Sequence, residues 1–212
     1  MRLVILGATG GTGRQLVSQA LAQGHDVTAV VRDPARLPIN DPGLDIRTAD
    51  VTEPAELRPV FTGQDAILST LGVRSNKHAG IVATATKAIV GALNGGKVHR
   101  FVAVSAAPVG ARPADDPLLA RMVVMPIIRR VFREMYADMA DMERQLQATG
   151  GISWTIFRPP RLVDRPAKGH YRREIGSAVP GGFSISRADL ADAMLSSLAD
   201  PTTMKQIVGV AY

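Results

Sequence analysis

Short apolar runs alternate with segments of helical spacing along most of the chain. Leu3-Val4-Ile5-Leu6 is the first run. Four successive apolar residues bounded by a turn read as a strand buried on both faces. Leu16, Val17, Ala20 and Leu21 then recur at helical spacing, and Gly24 marks the helix stop. Asp26–Val31 reads as a second buried strand, ended by Arg32-Asp33-Pro34, with Asp33 capping a short turn through Leu37. Leu44–Thr48 is a third strand, left through Ala49-Asp50-Val51, and a helix of about two turns starts at Thr52 with Pro54 tolerated in its first turn. Asp65–Ser69 is a fourth strand, His78–Leu93 a long helix stopped by Asn94-Gly95-Gly96, and Val98–Val104 a fifth strand. Helical spacing returns over Ile127–Gln147, with Met135, Met139, Met142 and Leu146 on one stripe, and Ser153–Phe157 is a sixth strand. Residues 158–182 read as loop, with one short strand expected over His170–Arg173. A last helix spans Ser186–Leu198 with Ser186 as its cap, and Ile207–Val210 is expected as an edge strand.

Strands alternating with helices imply parallel pairing through right-handed crossovers. Strands apolar on both faces imply a sheet covered by helices on both sides. The expected fold is therefore α/β, a Rossmann-type doubly wound parallel sheet with strand order 3-2-1-4-5-6. Residues 1–212 are expected to form one domain, with 108–133 and 158–185 making a small substrate side.

The turn after the first strand carries the clearest chemistry. Its glycines are Gly7, Gly10, Gly11 and Gly13. Gly7 suits a tight turn after the strand, Gly10 and Gly11 let a pyrophosphate approach the backbone, and Gly13 lets the helix lie against the strand. Exposed amides and the positive helix end favour an anion there, and Thr9 and Thr12 add hydroxyl donors. A strand precedes the glycines and a helix follows them, as a dinucleotide-binding turn requires.

Composition narrows the picture. The chain has 46% apolar residues, enough for a core, and only 4% aromatic residues. With no cysteine there is no disulfide framework or thiolate chemistry, which suits a reducing cytosol. No signal peptide or membrane-spanning run is evident, so a cytoplasmic location is expected. The net charge of +6, from 25 basic and 19 acidic residues, points to an anionic partner. Basic residues interleaved with aromatics are absent, which favours a phosphate-rich cofactor over nucleic acid. The four histidines have no metal-ligand spacing, and no metal is expected.

Several motifs then agree: GATGGTG, VVRDPARL, ADVTEPAEL, LSTLGVR, VAVSA, WTIFRPPRL and FSISRADLADAML. Together the chain resembles the atypical short-chain dehydrogenase/reductases with NAD(P)-binding, NmrA-like domains, and within them the biliverdin reductase B / flavin reductase subgroup. The resemblance implies NADP(H) as cofactor. At the end of the second strand Arg32, with Arg36 one turn later, suits a 2′-phosphate, whereas an acid would select NAD. Asp50-Val51 falls where the superfamily clamps adenine; the other reading of Asp50 is a loop cap. Leu71-Gly72 ends the fourth strand where the strand order reverses, so its backbone is expected against the cofactor. Arg74 follows, as a phosphate or substrate contact or as a surface residue.

Ser105 follows the fifth strand, where the wider superfamily hydrogen-bonds the substrate carbonyl. That superfamily pairs the serine with Y-x-x-x-K, and here the chain departs: Ala140 follows Tyr136 and Ile175 follows Tyr171 at that spacing. The subgroup instead passes hydride directly to a stacked, conjugated acceptor, with solvent able to supply the proton. Pro159-Pro160-Arg161 aligns with its nicotinamide-covering loop. Arg161 stands where those relatives carry histidine; it keeps its proton at pH 7 but can hold an anionic acceptor. Ser105 and Arg161 are the candidate catalytic residues. Arg158 reads as a site residue or as the partner of an acid on a neighbouring helix. Arg112, Arg121, Arg129, Arg130 and Arg133 mark a substrate wall, the solvated face of an amphipathic helix, or a dimer contact. The leading expectation is an NADPH-dependent reductase of a flavin, quinone or tetrapyrrole-like acceptor, acting on a small molecule as monomer or homodimer. An NADP(H)-sensing protein without catalysis comes second, and a nucleotide-sugar epimerase or dehydratase third.

Overall fold

The computed structural model describes residues 1–72, 79–110, 122 and 125–212. Arg74, His78, Arg112 and Arg121 lie outside the described residues. The first six strands run parallel: β1 (Arg2–Leu6), β2 (Asp26–Val31), β3 (Leu44–Thr48), β4 (Ala66–Ser69), β5 (Arg100–Val104) and β6 (Ser153–Arg158). Their order is β3-β2-β1-β4-β5-β6, as the alternation predicts. Six helices accompany them: α1 (Gly11–Ala22), α2 (Pro54–Phe61), α3 (Ile81–Leu93), α4 (Met125–Val131), α5 (Arg133–Ala148) and α6 (Arg187–Ser196).

Successive strand residues point to opposite faces, which divides the core in two. Leu3 and Ile5 of β1 pack with Leu16, Val17 and Ala20 of α1 and Leu190 and Met194 of α6. Val4 and Leu6 pack on the other face with Leu57 and Phe61 of α2, Ile89 of α3, and Met142 and Leu146 of α5. The methionine stripe is thus core. Asp138 of α5 is buried and accepts from the Val82 and Ala83 amides at 3.1 and 2.8 Å. It thereby caps α3, whose own first turn has neither an acid nor a side-chain cap.

Four expectations need correction. The C-terminal strand, β10 (Gln206–Ala211), is not an edge: it pairs parallel with β6 and antiparallel with β8 (Arg172–Ile175). The sequence RREI is exposed throughout, and a charged, short strand is what an edge tolerates. Within residues 158–186, three-residue strands β7 (Arg161–Val163) and β9 (Ser184–Ser186) pair in a separate small sheet. Strands that short have too few positions to show a period. The helical stretch 127–147 breaks at Phe132, because the buried stripe of α5 begins only downstream; Ile127, Val131 and Phe132 stay exposed. Finally, the second helix starts at Pro54, not Thr52, because Asp50 ties up the Thr52 amide and hydroxyl.

Asp189 gathers the C-terminal region. It is fully buried and accepts from the Lys168 amide at 2.9 Å, the Gly169 amide at 3.0 Å, the Ser186 hydroxyl at 2.9 Å and the Tyr212 hydroxyl. Burial pushes its carboxyl up, but these donors outweigh burial and hold it below the ordinary 3.8. A depressed native pKa contributes stability that is full above the unfolded value and is lost as pH falls through the native one. Acid melts of the wild type should therefore lose stability below about pH 4. In Asp189→Asn part of that acid limb should be missing, which thermal melts across the acid range will read.

Candidate functional site

The registers Leu6↔Ser69, Ser69↔Ala103 and Val104↔Phe157 align the C-terminal ends of β1, β4, β5 and β6. Gly7, Thr70, Ser105 and Pro159 therefore leave the sheet along one edge. β1 lies between β2 and β4, so the crossovers diverge there, and the crevice outside the strand ends opens at that point.

The glycine turn is tightly built. Gly7 has φ +79°, and a Cβ there would lie 2.9 Å from Thr70 Oγ1. Thr70 Oγ1 sits 3.1 Å from the Leu6 carbonyl and 3.2 Å from that of Gly7, locking β4 to the turn. The Gly10 amide donates to the Gly7 carbonyl at 2.9 Å. A Cβ on Gly13 would fall 2.1 Å from the Gly7 carbonyl oxygen, so helix and turn touch backbone to backbone. Gly11 has a different neighbour: its Cβ would meet Arg187 Cδ at 2.7 Å. Thr9 is half-buried and Thr12 buried. The first turn of α1 has no acid and its Gly10 cap offers no side-chain acceptor. Its unpaired amides, in a cradle that side chains would fill, fit an anionic group.

One flank of the crevice is basic. Arg32 directly follows β2 and Arg36 ends the single turn Pro34–Arg36; both are exposed. Asp33 caps that turn, accepting from the Ala35 amide at 3.1 Å. Arg14 of α1 donates to the Arg36 carbonyl at 2.8 Å, fixing the turn beside the glycines. Asp50 Oδ1 accepts from the Thr52 hydroxyl at 2.7 Å and amide at 2.8 Å, which is the loop-cap arrangement. Those bonds, with the nearby Arg32 charge, hold the Asp50 carboxyl below its ordinary value. Val51 and Leu71 are half-buried against the core, and Gly72 is exposed with open space where a Cβ would stand.

The other flank is drier. The Ser105 amide donates to the Phe157 carbonyl at 2.7 Å, and the Ala107 amide to the Pro159 carbonyl at 2.8 Å. These bonds bring Ser105 and the Pro159-Pro160 loop together. Ser105 is only 2% exposed, and its hydroxyl has no partner among the described residues. Arg161, at the start of β7, is exposed. Arg158 forms a two-pronged pair with buried Glu143 of α5, with Nε 2.9 Å from Oε1, so it serves the scaffold. Arg129 of α4 donates to the Gly110 carbonyl. Tyr171 gives its hydroxyl to Asp192 at 2.7 Å, and burial together with that carboxylate pushes its phenol well up. Tyr136 is also pushed up, by burial. Neither phenol is tuned to give up a proton near neutral pH.

Sequence reasoning missed Thr70, Arg14 and Arg187. The last carried a signal: a cation at the first position of a helix runs against the helix dipole, which marks it for another use. A groove of about 750 Å³ lies at the opposite end of the sheet, lined by Arg2, Arg58, Gly63, Asn94 and Lys97. It receives the C-terminal ends of α2 and α3, whose carbonyls disfavour the anion that the basic side chains would attract. Among the described residues no helix is long and apolar enough to cross a membrane.

A family model described as NAD(P)H-binding matches residues 7–201. The uncharacterized protein YwnB of Bacillus subtilis is 27% identical over 208 residues, covering 95% of this chain and 93% of the relative. Among solved structures, a candidate NADH-flavin reductase from Streptococcus pneumoniae superposes with TM-score 0.81 at 22% identity, covering 100% of this chain and 99% of the other. ChuY, described as an anaerobillin reductase from Escherichia coli O157:H7, gives TM-score 0.76 at 19% identity, covering 100% and 97%. At those identities the structural likeness speaks for the fold.

Proposed function

Because the chain belongs to the NAD(P)H-binding family, we propose that it is an NADPH-dependent reductase that delivers hydride to a planar, conjugated acceptor such as a flavin, a quinone or a linear tetrapyrrole. The observation that carries this reading is the Ser105 hydroxyl. A buried hydroxyl left without a partner costs about 1–3 kcal/mol, so a group entering the crevice is the expected partner. The bound nicotinamide supplies the hydride. Everything else falls to the chain.

Gly7, Gly10, Gly11 and Gly13, with the α1 amides, Thr9 and Thr12, hold the diphosphate. Arg32 and Arg36 hold the 2′-phosphate, and Asp50, Val51, Leu71 and Gly72 flank the adenine and the central backbone. Ser105 with Pro159 and Pro160 frames the nicotinamide end, and Arg161 attracts an anionic acceptor. Residues 108–133 and 158–185 form the acceptor side. With both tyrosines pushed away from acid catalysis, the proton comes from solvent, and the protein contributes position and charge complementarity.

The test is NADPH oxidation with each acceptor class in turn. Turnover above background with a conjugated acceptor supports the reading; tight NADP(H) binding with no turnover on any acceptor selects the cofactor-sensing protein instead, which the absent Y-x-x-x-K also suits. Arg32→Ala should weaken NADPH binding about tenfold or more and leave NADH nearly unchanged, since only NADPH offers the extra phosphate. Titrations of both cofactors against both proteins check this, and equal losses for the two would remove Arg32 from phosphate recognition.

A further inference from the structure

Arg187 is the first residue of α6 and is set directly against the glycine turn. Its Cδ and Nε lie 2.7 and 2.8 Å from where a Gly11 Cβ would stand. Its NH1 is 2.7 Å from Asp164 Oδ1. The Asp164 side chain is 84% exposed, that of Arg187 28%. An acid so open to water holds its partner weakly. Gly11 leaves the arginine stem the room it occupies. A lightly held guanidinium thus stands beside helix amides that have no acceptor of their own.

We propose that Arg187 is an exchangeable phosphate clamp: paired with Asp164 in the free protein, it transfers to the diphosphate of the bound cofactor. This rests on the cofactor reading above and adds a residue and a sequence of events to it. Asp164 directly follows β7, whose first residue is Arg161. The guanidinium can give two parallel donors to a phosphate, which the single contact with Asp164 does not use.

The two partners make opposite predictions. Arg187→Met should weaken NADPH binding about tenfold or more, and Arg187→Lys should recover part of the loss, because a point charge remains. Asp164→Asn should tighten binding by about twofold to fivefold, because it removes the competing carboxylate. A misfolded protein cannot bind more tightly, so that gain is free of folding artefacts. Titrations at two ionic strengths complete the test, with a shallower salt dependence expected for Arg187→Met. Asp164→Asn with wild-type or weaker affinity overturns the exchange, and Arg187→Met with wild-type affinity overturns the clamp. A wild type that binds neither NADPH nor NADH overturns the cofactor reading itself, a result distinct from both.

Discussion

Gly13→Ala should abolish measurable NADPH binding and lower the melting temperature markedly. The added methyl would stand 2.1 Å from the Gly7 carbonyl oxygen and 2.8 Å from Ala8 Cα. Both are backbone atoms. The Gly7 carbonyl already receives the Gly10 amide at 2.9 Å and lies 3.2 Å from Thr70 Oγ1, so it cannot retreat without undoing the turn. Overpacking at a site that cannot relax costs about 1–3 kcal/mol and occasionally more. The helix must shift, and its free amides shift with it. Gly11→Ala is the matched control for stability alone, because its methyl meets the flexible Arg187 side chain, which can turn away; binding should still fall, since Gly11 and Arg187 both belong to the phosphate cradle. Melts on the two variants should separate cleanly. A Gly13→Ala protein with wild-type melting temperature and affinity would mean that helix and turn are not in contact.

Glu143→Leu should be the most destabilising change outside the glycine turn. Glu143 is 3% exposed, and its carboxylate meets the Arg158 guanidinium through two bonds. Removing the acid leaves a largely enclosed cation without its carboxylate, which costs up to about 3–5 kcal/mol. For a chain of this size each kcal/mol moves the melting temperature by about 2–4 °C, so a fall of up to about 6–20 °C is expected. Glu143→Leu combined with Arg158→Leu should recover much of the loss, because apolar replacement of a whole buried pair is often neutral. If the double variant is no more stable than the single one, the pair is not what holds α5 against the end of β6.

The parallel half of the fold was legible because most of its strands are apolar on both faces, the edge strand β3 (LDIRT) alternates apolar and polar residues, and its turns carry glycine or proline. The glycine turn was legible for the same reason that it is built: close backbone contact at Gly13 and a positive φ at Gly7 admit little else. The register of β7 with β9 was not, since three residues cannot show alternation. β8 was legible in part: the short strand expected over His170–Arg173 forms over Arg172–Ile175, where the partner strand β10 fixes its bounds. In the site, Ser105 and Pro159 could be proposed from their positions after strands, yet the unpartnered hydroxyl appears only once Phe157 and Pro159 are packed against it. Asp50 read first as an adenine clamp and otherwise as a loop cap, and its bonds to Thr52 have the arrangement of a cap. The pairing of Arg187 with Asp164 spans a loop that local patterns do not cross.

The placement of β10 also bears on how the protein is born. Its six residues fill the slot between β6 and β8, and they are translated after every other strand. While the nascent chain lacks them, β6 presents an open flank of unpaired amides and carbonyls, and β8 has nothing to lie beside. Emergence from the ribosome is thus a vulnerable interval in which chaperones or dilution guard against mispairing until β10 is in place.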